Sequence, residues 1–276
     1  MMHNPSLAPL DDRSKELRKK VVSILETARR GHVGSTFSLI EIFRVLYDSI
    51  LRFDAANPKW EGRDRCILSK GHGCLAQYVM LAEKGFFPEA ELYRFCQAGG
   101  ILGGHPEYHK VPGIEASTGS LGHGLSIGIG FALRARIDRL GYKTYVVIGD
   151  GESNEGSIWE AAMCAGKYRL SSLTVMIDYN KHQSYDATMN VMDLEPYGLK
   201  WKSFGFDVQE ADGHDVKQLS RKLSAPPSNE EKPRVIICHT IKGRGISFAE
   251  NNLEWHHKNN LSDGEIKALY QELERD

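Results

Sequence analysis

Two short apolar runs, each followed at once by an oxygen-bearing polar residue, constrain this chain more than any other feature. Lys143-Thr144-Tyr145-Val146-Val147-Ile148-Gly149 leads into Asp150-Gly151, and Ser172-Leu173-Thr174-Val175-Met176-Ile177-Asp178-Tyr179 leads into Asn180. Both runs have the length and composition of buried strands. Between them, Asn154 to Leu170 is one stretch long enough for a crossover helix. Strand, crossover and strand make a βαβ unit, whose strands run parallel and end on one edge of the sheet. Ligands of such sheets bind outside that carboxyl edge. Asp150 and Asn180 therefore aim an acidic and an amide oxygen at one place, and Gly151 leaves room for something bulky.

Oxygen donors of this kind suit a hard cation: Mg²⁺, or Ca²⁺ or Mn²⁺ in its place. Mg²⁺ typically takes one or two carboxylates and fills its octahedron with phosphate oxygens and water. A diphosphate held through the metal by Asp150, Asn180 and a nearby backbone carbonyl meets that requirement. The same residue types also serve as a helix cap and a turn filler, so spacing alone leaves both accounts open.

Elsewhere the pattern keeps alternating between helix and strand. Leu17 to Arg29 has helical spacing with Gly31 as its stop. Ser38 is placed to cap a helix over Leu39 to Leu51, with Glu41 three residues on. Arg65 to Leu68 reads as a strand, His72 to Lys84 and Pro88 to Ala98 as helices. Gly119 to Leu140 starts as a glycine-rich loop and becomes a helix. Val208 to Glu210 and Val235 to His239 are further strands, with a helix near Val216 to Leu223 between them. Leu261 to Glu274 is a terminal helix with Ser262 as N-cap. This alternation predicts a three-layer α/β/α fold around a mostly parallel sheet. Residues 1–12 read as a loose N-terminal arm and 13–276 as one domain. The linker-like Ala225 to Pro233 precedes a strand and reads as a surface loop.

Composition removes several function classes. Among 276 residues the net charge is −1 and the charged fraction 26%, which leaves no nucleic-acid footprint and no polybasic membrane patch. No apolar run approaches the ~20 residues of a membrane helix, and the start lacks the apolar core of a secretory signal. Five cysteines without a CxxC pair read as reduced thiols of a cytoplasmic protein.

The chain has 11 histidines, and His32, His72, His105, His123 and His214 stand beside glycine, a loop arrangement that exposes the ring. They are widely scattered, with no HExxH pair, so acid–base and phosphate contact suit them better than zinc. Gly119-Ser120-Leu121-Gly122 looks like a dinucleotide loop, but no strand precedes it as that fingerprint requires. Glu155 opens the crossover helix, where a carboxylate suits the dipole. Lys242 and Arg244, with Gly243 and Gly245, read as a mobile loop able to close over phosphate.

Gly149-Asp150-Gly151 with the later Asn180 resembles the diphosphate motif of thiamine-diphosphate enzymes. That family often has two consecutive asparagines there, and this chain has Tyr179-Asn180. Further matches follow the order of the transketolase amino-terminal half: Gly31-His32-Val33-Gly34, Leu68-Ser69-Lys70-Gly71-His72, Gly104-His105-Pro106-Glu107, Thr118-Gly119-Ser120-Leu121-Gly122, Gly151-Glu152 with Glu155-Gly156, Asp212-Gly213-His214, and Lys242-Gly243-Arg244-Gly245 before Trp255-His256. The resemblance runs from about Leu17 to Lys258.

What the resemblance implies is specific. Thiamine diphosphate and a divalent metal would be the cofactors, held by Asp150, Asn180 and the His182 carbonyl, with Gly149, Gly151, Lys242, His72 and His256 at the diphosphate. Gly119, Ser120 and Leu121 would pack against the aminopyrimidine side. His32 and His105 would touch mainly substrate, His72 and His256 both substrate and diphosphate. Glu155 would couple to its counterpart across a dimer interface. His123 stands where the family often has glutamine, so its role stays open; His214 reads as structural. His257 replaces a small glycine, a departure that would narrow the substrate channel or suit another acceptor. In transketolases the glutamate that activates the cofactor belongs to a second domain. The chain therefore resembles the amino-terminal subunit of a split transketolase, paired with a C-terminal subunit carrying the pyrimidine-binding and C-terminal domains, as two copies of each. The activity implied is transfer of a two-carbon ketol unit between sugars. A deoxyxylulose-phosphate-synthase-like or other acyloin-forming subunit is one alternative, and a non-catalytic diphosphate-binding module is another.

Overall fold

The apolar runs form the sheet the alternation demands. In chain order the elements are α1 (Asp12–Ala28), α2 (Val33–Phe37), α3 (Ile40–Val45), β1 (Arg65–Leu68), α4 (Cys74–Glu83), α5 (Gly124–Ile137), β2 (Thr144–Gly149), α6 (Gly156–Lys167), β3 (Leu173–Tyr179), the short ribbon strands β4 (His182–Gln183) and β5 (Asp186–Ala187), α7 (Thr188–Met192), α8 (Tyr197–Ser203), β6 (Asp207–Asp212), α9 (Val216–Ser224), β7 (Arg234–His239) and α10 (Asp263–Glu274). This computed structural model describes residues 8–275 except 185, 227, 228, 230, 256, 257 and 259.

Five strands lie side by side in the order β1-β2-β3-β7-β6, every neighbouring pair parallel. Side chains alternate across the sheet. Tyr145, Val147, Met176, Ile236 and Cys238 enter one core with α1, α3, α4 and α10. Val146, Ile148, Val175, Ile177, Val235 and Ile237 enter the other, with α5, α6 and α8. Both faces are covered, which is why these strands read as unbroken apolar runs. Helix α5 comes so close that a Cβ on Gly128 would lie 2.4 Å from Val146 Cγ2. No helix among the described residues is long and apolar enough to cross a membrane.

Three local readings are corrected. Helix α1 ends in a left-handed Arg29 (φ 57°), whose N–H closes on the Leu25 carbonyl at 2.7 Å; Gly31 (φ 143°) serves the bend after it. Ser38 is not the N-cap of the next helix but the C-cap of α2: its hydroxyl donates to Asp178 Oδ2 at 2.7 Å, and α2 runs almost directly into α3, which continues as a π-helical turn over Leu46–Ile50. The expected helix over Pro88 to Ala98 is a 3₁₀ segment, Glu89–Arg94. The Ser262 cap is present as a full capping box with Glu265.

Glu41, expected as a capping partner of Ser38, instead lies at the centre of a buried ion cluster. Arg18 donates from Nη1 to Glu41 Oε1 at 2.6 Å and from Nη2 to Oε2 at 3.0 Å. His214 Nδ1 adds a third bond to Oε2 at 2.8 Å, while its Nε2 accepts the Ile241 N–H at 2.9 Å. The remaining Arg18 donors go to the Ser14, Phe37 and Arg244 carbonyls. His214 thus ties α3 to the loop after β7, in line with its structural reading.

Candidate active site

β2 and β3 end in register, Gly149 opposite Asp178, so the residues that follow emerge side by side at the carboxyl edge. Asp150 Oδ1 accepts the Gly151 N–H at 2.8 Å and Oδ2 the Lys181 N–H at 2.5 Å. Asn180 Oδ1 accepts the His182 N–H at 3.0 Å, and the Asn180 carbonyl meets His182 Nδ1 at 2.9 Å. Both side chains are buried. The two strand ends and the turn over 180–182 are thereby one unit, and His182 opens the β4–β5 ribbon.

Beneath this edge is a group that the sequence reading passed over. Asp178, wholly buried inside β3, accepts hydrogen bonds from Lys70 Nζ, Thr240 Oγ1 and Ser38 Oγ. Against the cost of burial, the Lys70 ammonium holds its carboxyl below the usual range. The neighbouring Asp150 goes the other way: burial first, and then the charge of Asp178, push its carboxyl up. Lys242, 4% exposed, is pulled down by burial and by Lys70, with Asp178 and Asp150 opposing. A signal was available, because a lone acid inside an apolar strand must be paired when buried.

Glu152 is the second residue the sequence reading left without a role. Its Oε1 accepts the Gly122 N–H at 2.9 Å and a bond from Ser69 Oγ; its Oε2 accepts the Gly149 N–H at 3.1 Å. One buried carboxylate thus joins three motif loops. Gly71 lies against the chain at Thr118 and Gly119, where a Cβ would come within 2.9 Å of backbone. The Gly119-Ser120-Leu121 loop is thereby held beside His72.

A cavity of about 380 Å³ opens next to these loops and is lined by Arg30, His32, His72, Cys74, Cys96 and His105 among others. His32 and His72 meet ring edge to face at 5.7 Å. His105 packs at Gly119, where a Cβ would lie 2.8 Å from the ring. So three of the four histidines singled out in the sequence converge; His256 and His257 lie outside the described residues. A second cavity, about 520 Å³, reaches Asp150 from the β6 side and is lined by Tyr179, Lys181, Met189, Met192 and Tyr197 among others.

Glu155 stands at the N-cap of α6, exposed and without a capping bond. His123 holds the same position on α5, also exposed. The expectation of a mobile Lys242–Gly245 loop is corrected. Lys242 is buried toward Asp150 and Asp178, while Arg244 is anchored away from them by Glu250 (3.2 Å) and the Ala8 carbonyl (3.0 Å). Gly243 and Gly245 supply the positive φ of these turns.

The donor set suits a metal-bound diphosphate. A divalent cation at Asp150 and Asn180, and phosphate oxygens at Lys242, would each favour the charged form that burial opposes. Among the described residues no three or more His, Cys, Asp or Glu gather as a self-sufficient metal cage. A site with one carboxylate and one amide takes its remaining ligands from phosphate and water.

Comparison with known proteins agrees with this geometry. Residues 11–276 match the family model of the transketolase thiamine diphosphate binding domain. An apulose-4-phosphate transketolase subunit of Phocaeicola vulgatus is 42% identical over 248 residues, 90% of this chain and 88% of that one. The 6-deoxy-6-sulfo-D-fructose transketolase subunit SqwG of Clostridium sp. is 40% identical over 97% of each chain. The crystal structure of Campylobacter jejuni transketolase superposes with a TM-score of 0.88 at 27% identity, over 96% of this chain but only 42% of that one.

Proposed function

The chain belongs to the transketolase family through its thiamine diphosphate binding domain, and on that basis we propose that it is the amino-terminal subunit of a two-chain, cytoplasmic transketolase. It would move a two-carbon ketol unit from a ketose to an aldose, phosphorylated or otherwise anionic, together with a C-terminal subunit in a 2+2 assembly. The observation that carries this reading is the convergence of Asp150 and Asn180 at the ends of β2 and β3, over the Asp178–Lys70 pair and beside a histidine-lined cleft.

Thiamine diphosphate supplies, when bound, the carbanion stabilisation that cleavage next to a carbonyl requires. The chain's own residues bind and orient. Asp150, Asn180 and the His182 carbonyl hold Mg²⁺. Gly149 and Gly151 keep the strand end low enough for phosphate to approach, and Lys242, His72 and His256 contact the diphosphate. Gly119, Ser120 and Leu121 form one wall of the aminopyrimidine side. His32 and His105, with His72 and His256, hold substrate hydroxyls and move protons at those oxygens, work suited to imidazole near neutral pH. Glu155, exposed at the start of α6, reaches the paired copy. The names and lengths of the subunit-type relatives support a partner chain.

Calorimetric titration tests the cofactor half of this reading. The chain binds thiamine diphosphate in the presence of Mg²⁺ and loses that affinity when the metal is chelated. Ketol transfer then requires the C-terminal partner and saturates near one partner per chain. Metal-independent binding, or full transfer by the chain alone, would overturn the assignment.

A further inference from the structure

The wall of the 380 Å³ histidine cleft contains one cation without an anion. Arg30 lines the cavity with His32, His72 and His105, and among the described residues no carboxylate lines it. Its neighbour Arg29 is committed to Asp263, Nη1 to Oδ1 at 2.5 Å. Lys110, the other cation whose charge reaches Cys96 on this wall, is committed to Glu107 at 3.1 Å. Arg30 makes no hydrogen bond or ion pair with any described residue.

The backbone fixes where Arg30 stands. Arg29 is left-handed, with its N–H closed on the Leu25 carbonyl. Gly31 has φ 143°, and a Cβ there would come within 2.5 Å of Leu25 Cδ2 and 3.1 Å of Leu75 Cδ1. Arg30 is thus held between two constrained residues on the rim. A cation after a helix C-terminus gains from the dipole wherever it points, so the dipole does not account for a place in the cleft wall. A guanidinium there, in one cavity with rings suited to hydroxyl groups, matches a polyol that carries an oxyanion at one end.

We propose that Arg30 is the specificity-determining residue by which this chain receives the terminal phosphate or sulfonate of its sugar substrate. The inference rests on the histidine cleft being the substrate site, as argued above. The guanidinium binds the anion and the histidines bind the hydroxyls, so Arg30 governs affinity for charged sugars and leaves the transfer chemistry to other groups.

The test uses the chain saturated with thiamine diphosphate and Mg²⁺, so that the diphosphate site is filled. Inorganic phosphate, ethanesulfonate and the neutral polyol erythritol are titrated separately while histidine ring resonances are followed by NMR. Arg30→Gln is expected to raise the apparent Kd of the anion about tenfold, the scale of one lost charge-assisted hydrogen bond. Arg29→Gln and the erythritol titration should show no change. Preference between the phosphate and sulfonate arms identifies the anion. In the presence of the C-terminal partner, Arg30→Gln should raise KM for anionic sugars about tenfold at nearly constant kcat and leave uncharged sugars alone, and Arg30→Lys should restore part of the loss. Anion affinity within twofold of wild type in Arg30→Gln, or an equal loss in Arg29→Gln, would overturn the proposal. Arg30-dependent anion binding in a chain that never supports ketol transfer would remove the functional reading and leave the anion site standing.

Discussion

Two buried charge clusters, on opposite sides of the loop after β7, differ in what they leave open. Around Glu41 every charge is met inside the protein. Arg18 grips the carboxylate twice, His214 adds a third bond, and the carboxyl is held well below its usual range against burial by Arg18 first. Around Asp178 the inner pair with Lys70 is equally tight, but the outer residues are strained toward neutrality: Asp150 is pushed up and Lys242 pulled down, burial being the largest cause in both. A closed cluster fixes which elements meet. An open one holds charge in readiness at a cost in stability, as expected where a ligand will complete it.

The largest effect should come from breaking the closed cluster. Glu41→Ala leaves the Arg18 guanidinium buried without its counter-ion, a loss of about 3–5 kcal/mol. Denaturant unfolding should show a matching drop in midpoint, while molecules still folded bind thiamine diphosphate with Mg²⁺ as before. A variant of normal stability would mean that Arg18 finds solvent. The open cluster should behave oppositely. Asp150→Ala weakens metal-dependent cofactor binding by about 100-fold, near 2.7 kcal/mol, and leaves unfolding unchanged or slightly favourable to the fold, since a disfavoured buried carboxylate is gone. If the unfolding midpoint falls as far as in Glu41→Ala, the contrast between the clusters collapses.

How much of this was legible in the sequence follows from the same contrast. The strands were visible because parallel, doubly covered strands leave continuous apolar runs, and Asp150 and Asn180 because they end two of them. His32, His72 and His105 were legible as glycine-flanked rings matching a known order, and they do share one cleft. The clusters were not legible, because their bonds span 140 residues from Ser38 to Asp178 and 173 from Glu41 to His214. No local spacing encodes such pairings. Ser38 and Glu41 show how this misleads: their spacing fits a capping box, but each is taken by a distant partner. Lys242 was misplaced likewise, since flanking glycine suggests exposure and only the assembled carboxyl edge shows burial.

A smaller change sharpens the open cluster from within. Asn180 contributes a neutral oxygen beside the charged Asp150, so Asn180→Ala should weaken cofactor binding about tenfold, near 1.4 kcal/mol. It should also raise the Mg²⁺ concentration needed for half-saturation. The check is calorimetry across a magnesium series. Unchanged metal dependence would take Asn180 out of the coordination sphere and leave it as the residue that shapes the 180–182 turn through the His182 N–H.

The smallest effect is a slope. Glu41 is ionised in the fold with its carboxyl held below the usual value, by the Arg18 guanidinium from α1 and by the hydrogen bond from His214 in the loop before α9. In the unfolded chain it titrates near the ordinary ~4.3 of a glutamate. The cluster's contribution is therefore fully present above that pH. It is lost as the pH falls toward the folded value, because the unfolded state then binds a proton that the folded state refuses. One such proton adds at most about 1.4 kcal/mol per pH unit to the acid limb of stability. Glu41→Gln keeps the shape and removes the titration. It should be less stable than wild type at neutral pH, with Arg18 uncompensated, yet show a shallower loss between about pH 4.5 and 3. Equilibrium unfolding in urea at a series of acid pH values reads the slope directly. Parallel acid limbs for the two proteins would show that carboxylates elsewhere carry the acid sensitivity, and that the closed cluster survives protonation of its central residue.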